Sequence, residues 1–577
     1  MENGSVPATT AGIATVPARM RWGVRIPLRD GTYLHATLYL PTKHALPAPT
    51  IVTLTPYVAQ TYHDRGMSFA AHGYPFLAVD VRGRGNSEGT FVPCLNDAKD
   101  GYDVVEWVAT QTYCNGQVAM WGGSYSGYVQ WATAKEFPRH LATIAPAASL
   151  CMGVDFPICN NIATPYWIRW LTLVAGRTLQ DRMFWNNERF WADIFREWFE
   201  SGVPFKDLDT LAGNPSSVFA EWVAHPGLDP YWDQYNPTAH QYAEISVPVL
   251  TITGAYDGDQ RGALTHYREH LARCSVAARE RHYLVIGPWD HSGTRDPKAQ
   301  FCGIVCGPAS LVDLDKLHRD WYAWTLQRGP QPEFLQKHVT YYVMGADTWR
   351  YADSLDAITQ RTLRLNLSSR GNPTDVLHSG FLGAQKTSSA PYDFFVYDPR
   401  DTRLAGLEST VSPDDKTDSR MIHAASGAHL VYDSEPFGSA LEISGFFRLS
   451  AWLAIDQPDT DLRVRVYAVG VDGNSVELAE DALRARYRGG VRHEQLIETA
   501  EPLLYEFTTF NFISRRLERG ERVRLVIGPS NSIYKQKNYN SGGVVAAESV
   551  ADARTVTVRL FHDERHSAVL DVPIGVD

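Results

Sequence analysis

The sequence predicts an α/β protein with a helical insertion and a C-terminal β domain, and three observations predict it. Short apolar runs bounded by turn residues, at Thr50–Thr55, Phe76–Asp80, Val118–Gly122, Val247–Gly254 and Tyr283–Gly287, alternate with helical patterns such as Asp100–Thr110 and Gly262–Leu271. Such runs suit strands buried on both faces, and strand alternating with helix means a largely parallel sheet. The alternation gives way between about 150 and 245 to a helical pattern crowded with aromatics. From about 338 onward period-two segments dominate, the mark of antiparallel strands.

The elements justify themselves in chain order. Leu34, Ala36, Leu38 and Leu40 point one way after the turn residues Asp30-Gly31, so residues 25–41 read as a hairpin. The insertion carries Tyr166, Trp167, Trp170, Phe184, Trp185, Phe190, Trp191, Phe195, Trp198, Phe199, Trp222 and Trp232. Most of these rings are expected to fill a core of the insertion's own, and a few to line a pocket. A last helix is expected over Ser310–Gln327. Leu462–Val466, Arg522–Ile527 and Thr555–Val558 then alternate strictly, with Asp472-Gly473-Asn474 and Arg519-Gly520 as turns, which reads as a sandwich or jelly roll. The parts fall at 1–148 and 245–350 for the sheet domain, 149–244 for the insertion and 351–577 for the β domain. At 577 residues the chain is long enough for about two to four domains.

Composition excludes several classes. The net charge is −11, with no basic stripe, so neither nucleic acid nor an acidic membrane surface is an expected partner. No run of about 18 apolar residues offers a membrane span. Met1–Arg21 lacks a basic end followed by an apolar stretch, so no secretory signal is read and a cytoplasmic location is expected. Seven cysteines form no disulfide pattern, and Cys302 and Cys306 have no second ligand pair beside them for zinc. Neither metal nor organic cofactor is expected.

The chemistry begins at Val118–Gly127, where an apolar strand runs through Gly122-Gly123 into Ser124 and then into a helix. Small residues let the backbone turn sharply so that a serine Oγ stands exposed at a sheet edge. Gly122 fits the place two before the serine. The place two after holds Ser126, and the glycine, Gly127, comes one later. A nucleophilic serine needs a base, and the base an orienting acid, in the chain order Ser, Asp, His. Asp257 follows the strand ending at Gly254, and His291 follows the strand ending near Gly287. Both sit where open α/β sheets bind ligands. Asp259 and Asp290 are rival acids, and the strand-end position favours Asp257. Arg82–Gly89 has glycines but not the spacing of a phosphate-binding loop, and reads as structural.

With these residues assembled, the chain resembles the cocaine esterase and X-prolyl dipeptidyl peptidase family of serine hydrolases. The matching pieces are Thr55-Pro56-Tyr57, Asp80–Gly89, Gly122–Gly127, Tyr256-Asp257-Gly258 and Gly287-Pro288-Trp289 with His291; further matches lie at Ala454–Asp461 and Leu483–Tyr487. The family's serine motif has its glycine three after the nucleophile, as here. The resemblance implies an α/β-hydrolase core, a helical cap and a C-terminal jelly roll. It implies Ser124 as nucleophile, His291 as base and then acid, and Asp257 as orienter, with the Tyr57 hydroxyl and the Tyr125 backbone N–H holding the oxyanion. It also places an aromatic ring of the acyl pocket two residues after the acid, where this chain has Asp259.

Asp259 therefore has two readings: a cap on the helix that includes Gly262–Leu271, which is favoured because Asp is a strong cap, or a pocket carboxylate for a substrate amine. Trp170 and Trp289 join it as candidate substrate contacts. The leading functional expectation is cleavage of a small-molecule ester or amide through an acyl-enzyme. The alternatives are an X-Pro dipeptidyl aminopeptidase and a catalytically silent ligand-binding protein.

Overall fold

The computed structural model describes residues 18–180, 186–385 and 390–576. The first sheet is built from β1 (Ala18–Pro27), β2 (Tyr33–Pro41), β3 (Ala48–Thr55), β4 (Phe76–Asp80), β5 (Cys114–Gly123), β6 (Leu141–Ala147), β7 (Val249–Tyr256), β8 (His282–Asp290), β9 (Val339–Val343) and β10 (Thr348–Ala352). Their spatial order is β1-β2-β4-β3-β5-β6-β7-β8-β9-β10. From β4 to β9 every neighbouring pair is parallel. The antiparallel pairs lie at the edges. β4 is buried at every position, which is why its residues read as an unbroken apolar run rather than an alternation.

Helices cover both faces. α2 (Asp97–Ala109) and α3 (Tyr125–Ala134) bury Val104, Val105, Val108, Tyr128 and Val129 on one side. α1 (His63–Ala71) and α7 (Leu314–Gln327) bury Phe69, Leu317, Trp321 and Tyr322 on the other. The period-two signal starting near 338 belongs first to the β9–β10 hairpin, which closes an edge of this sheet. The change in composition thus precedes the change of sheet, because an antiparallel edge hairpin writes the same alternation as a β domain. The last helix begins at Leu314 rather than Ser310, since Asp313 caps it by accepting from the Lys316 N–H at 2.8 Å.

Between β6 and β7 the chain forms a cap containing α4 (Tyr166–Leu173) and α5 (Glu188–Ser201). Trp191, Phe195, Trp198 and Phe199 lie on one face of α5 and are buried. Gly202 ends α5 at φ 69°, and a Cβ there would stand 2.6 Å from Val550 Cβ; left-handed backbone and close approach both require glycine. Trp167, Trp198, Trp222, Phe205 and Phe219 meet edge to face as the cap's own core, as expected of most of its aromatics. Phe184 and Trp185 lie outside the described residues.

The C-terminal strands form an all-β jelly-roll domain. Within it, β11 (Asp461–Val469) and β12 (Ser475–Arg484) pair antiparallel around the Gly473 turn. The Leu483–Tyr487 motif is a structural pin. Arg484 binds Asp461 through two hydrogen bonds of 2.8 and 2.9 Å, and Arg486 binds Asp459 at 2.8 Å, all buried. Buried pairs are costly when one partner is lost. The domain is fastened to the first sheet just behind β7. The Gln260 carboxamide exchanges hydrogen bonds with the Phe512 N–H and carbonyl, and the Tyr256 hydroxyl donates to the Glu477 carbonyl. Among the described residues, no helix is long and apolar enough to cross a membrane.

Candidate active site

Tyr57, Ser124, Asp257 and His291 follow β3, β5, β7 and β8, all at the carboxyl ends of parallel strands. One cavity of about 920 Å³ gathers all four. Ser124 has φ 60° and ψ −126°, a conformation that costs a non-glycine residue about 1–3 kcal/mol and persists only where its surroundings enforce it. Three glycines make room for it. A Cβ on Gly122 would stand 2.5 Å from Ser126 Cβ, one on Gly123 2.5 Å from an Arg295 nitrogen, and one on Gly127 2.6 Å from the Ala147 carbonyl oxygen. The last contact explains why the glycine three after Ser124 matters. Ser126 points away: its hydroxyl donates to the Leu54 carbonyl at 2.7 Å.

His291 Nδ1 lies 2.8 Å from Asp257 Oδ1. Asp257 is fully buried, and it also accepts from the Thr253 hydroxyl at 2.9 Å and the Asp259 N–H at 3.0 Å. Burial pushes its pKa up, but these donors and the imidazole win and hold it below the usual carboxylate value. His291 moves the other way. Burial lowers its pKa, yet the nearby charges of Asp259 and Asp257 overcome that and raise it. The imidazole is poised to carry a proton.

Tyr57 and Tyr125 complete the centre. Burial pushes the Tyr57 hydroxyl up to about 12, against hydrogen bonds from Trp170 and Ser124. Tyr57 is therefore a neutral donor at ordinary pH. Trp170 Nε1 donates to its oxygen at 3.1 Å, which leaves the phenol's own proton free for another acceptor. Tyr125 is the first residue of α3, so its N–H falls outside the helix ladder. Its ring stacks on Trp170 with centroids 6.0 Å apart, and its hydroxyl donates to Asp97 at 2.5 Å. Arg84 in the Arg82–Gly89 loop is buried and donates to the Pro56 carbonyl at 2.8 Å and the Val174 carbonyl at 2.7 Å. That loop is structural, as read from its spacing, and it ties the residue before Tyr57 to the end of α4.

Two expectations need correction. Asp259 stands at the N-terminal position of α6 (Gln260–Arg273) but its side chain makes no capping bond. The Gly262 N–H is taken instead by Asp155, a half-buried carboxylate from the start of the cap, at 2.5 Å. Relieved of capping, Asp259 lines the cavity with one oxygen 3.8 Å from His291 Nδ1. Burial, with the charge of Asp257, pushes its pKa up to about 6 against the pull of His291. Trp289 is the second correction. It is fully buried in the core, its Nε1 donating to the Ser310 carbonyl at 3.0 Å, and it does not line the cavity. Trp170 does line it, with Phe156, Tyr166 and Phe195. Asp290, the other rival acid, accepts from the Gly293 N–H at 2.7 Å instead of holding the histidine.

Asp155 and the cavity arginines of the β domain escaped the sequence reading, because they lie in no motif and reach the site only through folding. Among the described residues, no group of three or more His, Cys, Asp or Glu is arranged to hold a metal ion.

Sheet, cap and strand-end residues define a hydrolase of the α/β class. Residues 30–293 match the X-Pro dipeptidyl-peptidase (S15) family, and residues 334–568 match the X-Pro dipeptidyl-peptidase C-terminal non-catalytic domain. The chain belongs to this family, which the cocaine esterase resemblance had indicated. It is 25% identical over 575 residues to a cocaine esterase of Rhodococcus sp. (strain MB1 Bresler), covering 96% of this chain and 98% of the esterase. Its fold matches an α-amino acid ester hydrolase with a TM-score of 0.82 at 19% identity, over 99% of this chain and 100% of that one. It also matches an aminopeptidase from a marine sediment Thaumarchaeota archaeon with a TM-score of 0.80 at 20% identity, over 100% and 99% of the two chains.

Proposed function

We propose that the protein cleaves an ester or amide bond of a small-molecule substrate through an acyl-enzyme on Ser124. The observation that carries this reading is the 2.8 Å contact between Asp257 and His291 Nδ1, in one cavity with the strained Ser124. With Nδ1 held by Asp257, Nε2 is the nitrogen left to take the serine proton. Oγ then bonds to the substrate carbonyl carbon, and the carbonyl electrons move onto its oxygen. The Tyr57 hydroxyl and the Tyr125 N–H meet that charge, fixed in place before it develops. Collapse expels the leaving group, which takes the proton from His291. Water repeats the sequence on the acyl-enzyme, releasing the acid and freeing Ser124.

The carboxylate of Asp259 favours substrates with an amine in the acyl part. Above about pH 6 it is an anion at the cavity wall, where water is partly excluded and attraction to an ammonium is strengthened. The same carboxylate supports a second reading, release of X-Pro dipeptides, since a peptide's free N-terminus is an amine too. Parallel assays with p-nitrophenyl esters and Ala-Pro-p-nitroanilide separate the two. Ser124→Ala is expected to fold and to lose several powers of ten in kcat on the best of these. Retained turnover would sink the assignment.

A further inference from the structure

The cavity that holds Ser124 continues to a wall supplied by the β domain. Along β11 the alternate residues Arg463, Arg465 and Tyr467 share one face and line the cavity. Glu477 and Glu480 of β12, with Lys416 and Lys535, line it beside them. The carboxylates here are already engaged. Arg463 Nε donates to Glu480 at 2.7 Å, Lys535 stands 3.9 Å from the same carboxylate, and Lys416 pairs with Glu477 at 3.0 Å. Glu408, also on the cavity, accepts from the Ser532 hydroxyl and the Ile533 N–H at 2.6 and 2.8 Å.

Arg465 is the exception. It lies directly opposite Glu480 in the strand register. Even so, among the described residues its guanidinium makes no hydrogen bond or ion pair; it approaches the Tyr467 ring, 5.7 Å from its centroid, and meets the charges of Glu477 and Glu408 only at longer range. It is half-buried. A guanidinium drawn partly out of water with its planar fork of donors unfilled is matched by a carboxylate, which binds such a fork through two parallel hydrogen bonds. Arg463, Lys416 and Lys535 stand beside Arg465 with Glu477, Glu480 and Glu408 as counter-charges, so the attraction for an incoming carboxylate rests on the unfilled fork of Arg465 itself.

We propose that Arg465 is a substrate-carboxylate subsite, and that the enzyme takes esters or amides bearing a carboxylate remote from the bond cleaved at Ser124. This deepens the reading of Ser124 as the acylated nucleophile and rests on it. The cavity then has two poles: Asp259 beside His291 for a cation, and Arg465 on the β-domain wall for an anion.

The test uses p-nitrophenyl monoesters of the straight dicarboxylic acids from succinic to suberic, each beside its methyl-capped neutral counterpart. Carboxyphenyl esters beside phenyl esters place the charge on the leaving group instead. At least one carboxylate-bearing ester is expected to exceed its neutral counterpart in kcat/KM. Arg465→Met should lower that ratio at least tenfold, Arg465→Lys should restore part of it, and Arg465→Glu should invert it; Arg465→Gln replaces the methionine variant if that one does not fold. A panel with no carboxylate preference, or a ratio that survives Arg465→Met, overturns the proposal. Failure of the Ser124 reading shows separately, as neutral-ester turnover that Ser124→Ala does not affect. Calorimetric binding of monomethyl suberate to Ser124→Ala, with and without Arg465→Met, decides the subsite even then: unequal affinities support it and equal affinities overturn it.

Discussion

Asp259 shows how one side chain changes role when a neighbour takes over its obvious task. Asp155 caps α6, so the Asp259 carboxylate is free to stand 3.8 Å from His291 Nδ1. In the proposed function it acts on the base as well as on the substrate. Its negative charge raises the His291 pKa against burial, and a base must be neutral to accept the serine proton. Activity should therefore fall as pH drops through this raised value. In Asp259→Asn the charge is gone and the acidic limb of kcat/KM for a neutral ester moves to lower pH. The same variant should lose about tenfold in kcat/KM for an amine-bearing ester relative to the neutral one, equal to about 1.4 kcal/mol of transition-state stabilisation. An unmoved limb together with an unchanged substrate ratio would return Asp259 to a structural role.

At the scale of elements, the cap reaches into the chemistry through α4. Trp170 stacks on Tyr125 and donates to Tyr57, the two residues proposed to hold the oxyanion. A donor on a phenol oxygen polarises its O–H and orients the remaining proton. Tyr57→Phe should lose about 10²–10³ in kcat with KM less affected. Trp170→Phe keeps a ring for stacking but loses the N–H, and about tenfold in kcat is expected. In the double variant the Trp170 change should add little, because its acceptor is already gone. Fully additive losses would mean that Trp170 acts only through packing.

Across the whole molecule, the positions of Ser124, Asp257 and His291 were legible in the sequence because each follows a recognisable strand, and the fold brings them into one cavity. The Gly127 position was legible only through resemblance, and its reason, a Cβ 2.6 Å from the Ala147 carbonyl oxygen, is visible only in the fold. Trp289 was misread because its motif place beside His291 says nothing about which way the indole turns. The first period-two hairpin, over 339–352, belongs to the α/β sheet although its alternation matches that of the β domain, and Arg465 was hidden in a strand that reads as ordinary alternation. Stability carries a further signature that no pattern shows. His266, His270 and His282 are buried around Trp131, with His266 stacked on it at 5.1 Å. Burial pushes His266 down to about 4 and lowers the other two. The unfolded chain binds these protons near pH 6.5 while the fold refuses them, so their contribution is present above about 6.5 and is lost as pH falls toward 4. His266→Phe should thus lower Tm at pH 7 but show a smaller further drop between pH 7 and 5 than the parent protein. Equal drops would mean that His266 is not held neutral.

The most direct measurement is the mass of the protein quenched during turnover of a p-nitrophenyl ester. The account predicts a species heavier by the acyl group less one hydrogen, with the addition on the peptide that contains Ser124, and no such species in Ser124→Ala. Turnover with no covalent adduct under any quench time, or an adduct on another residue that persists in Ser124→Ala, would contradict it.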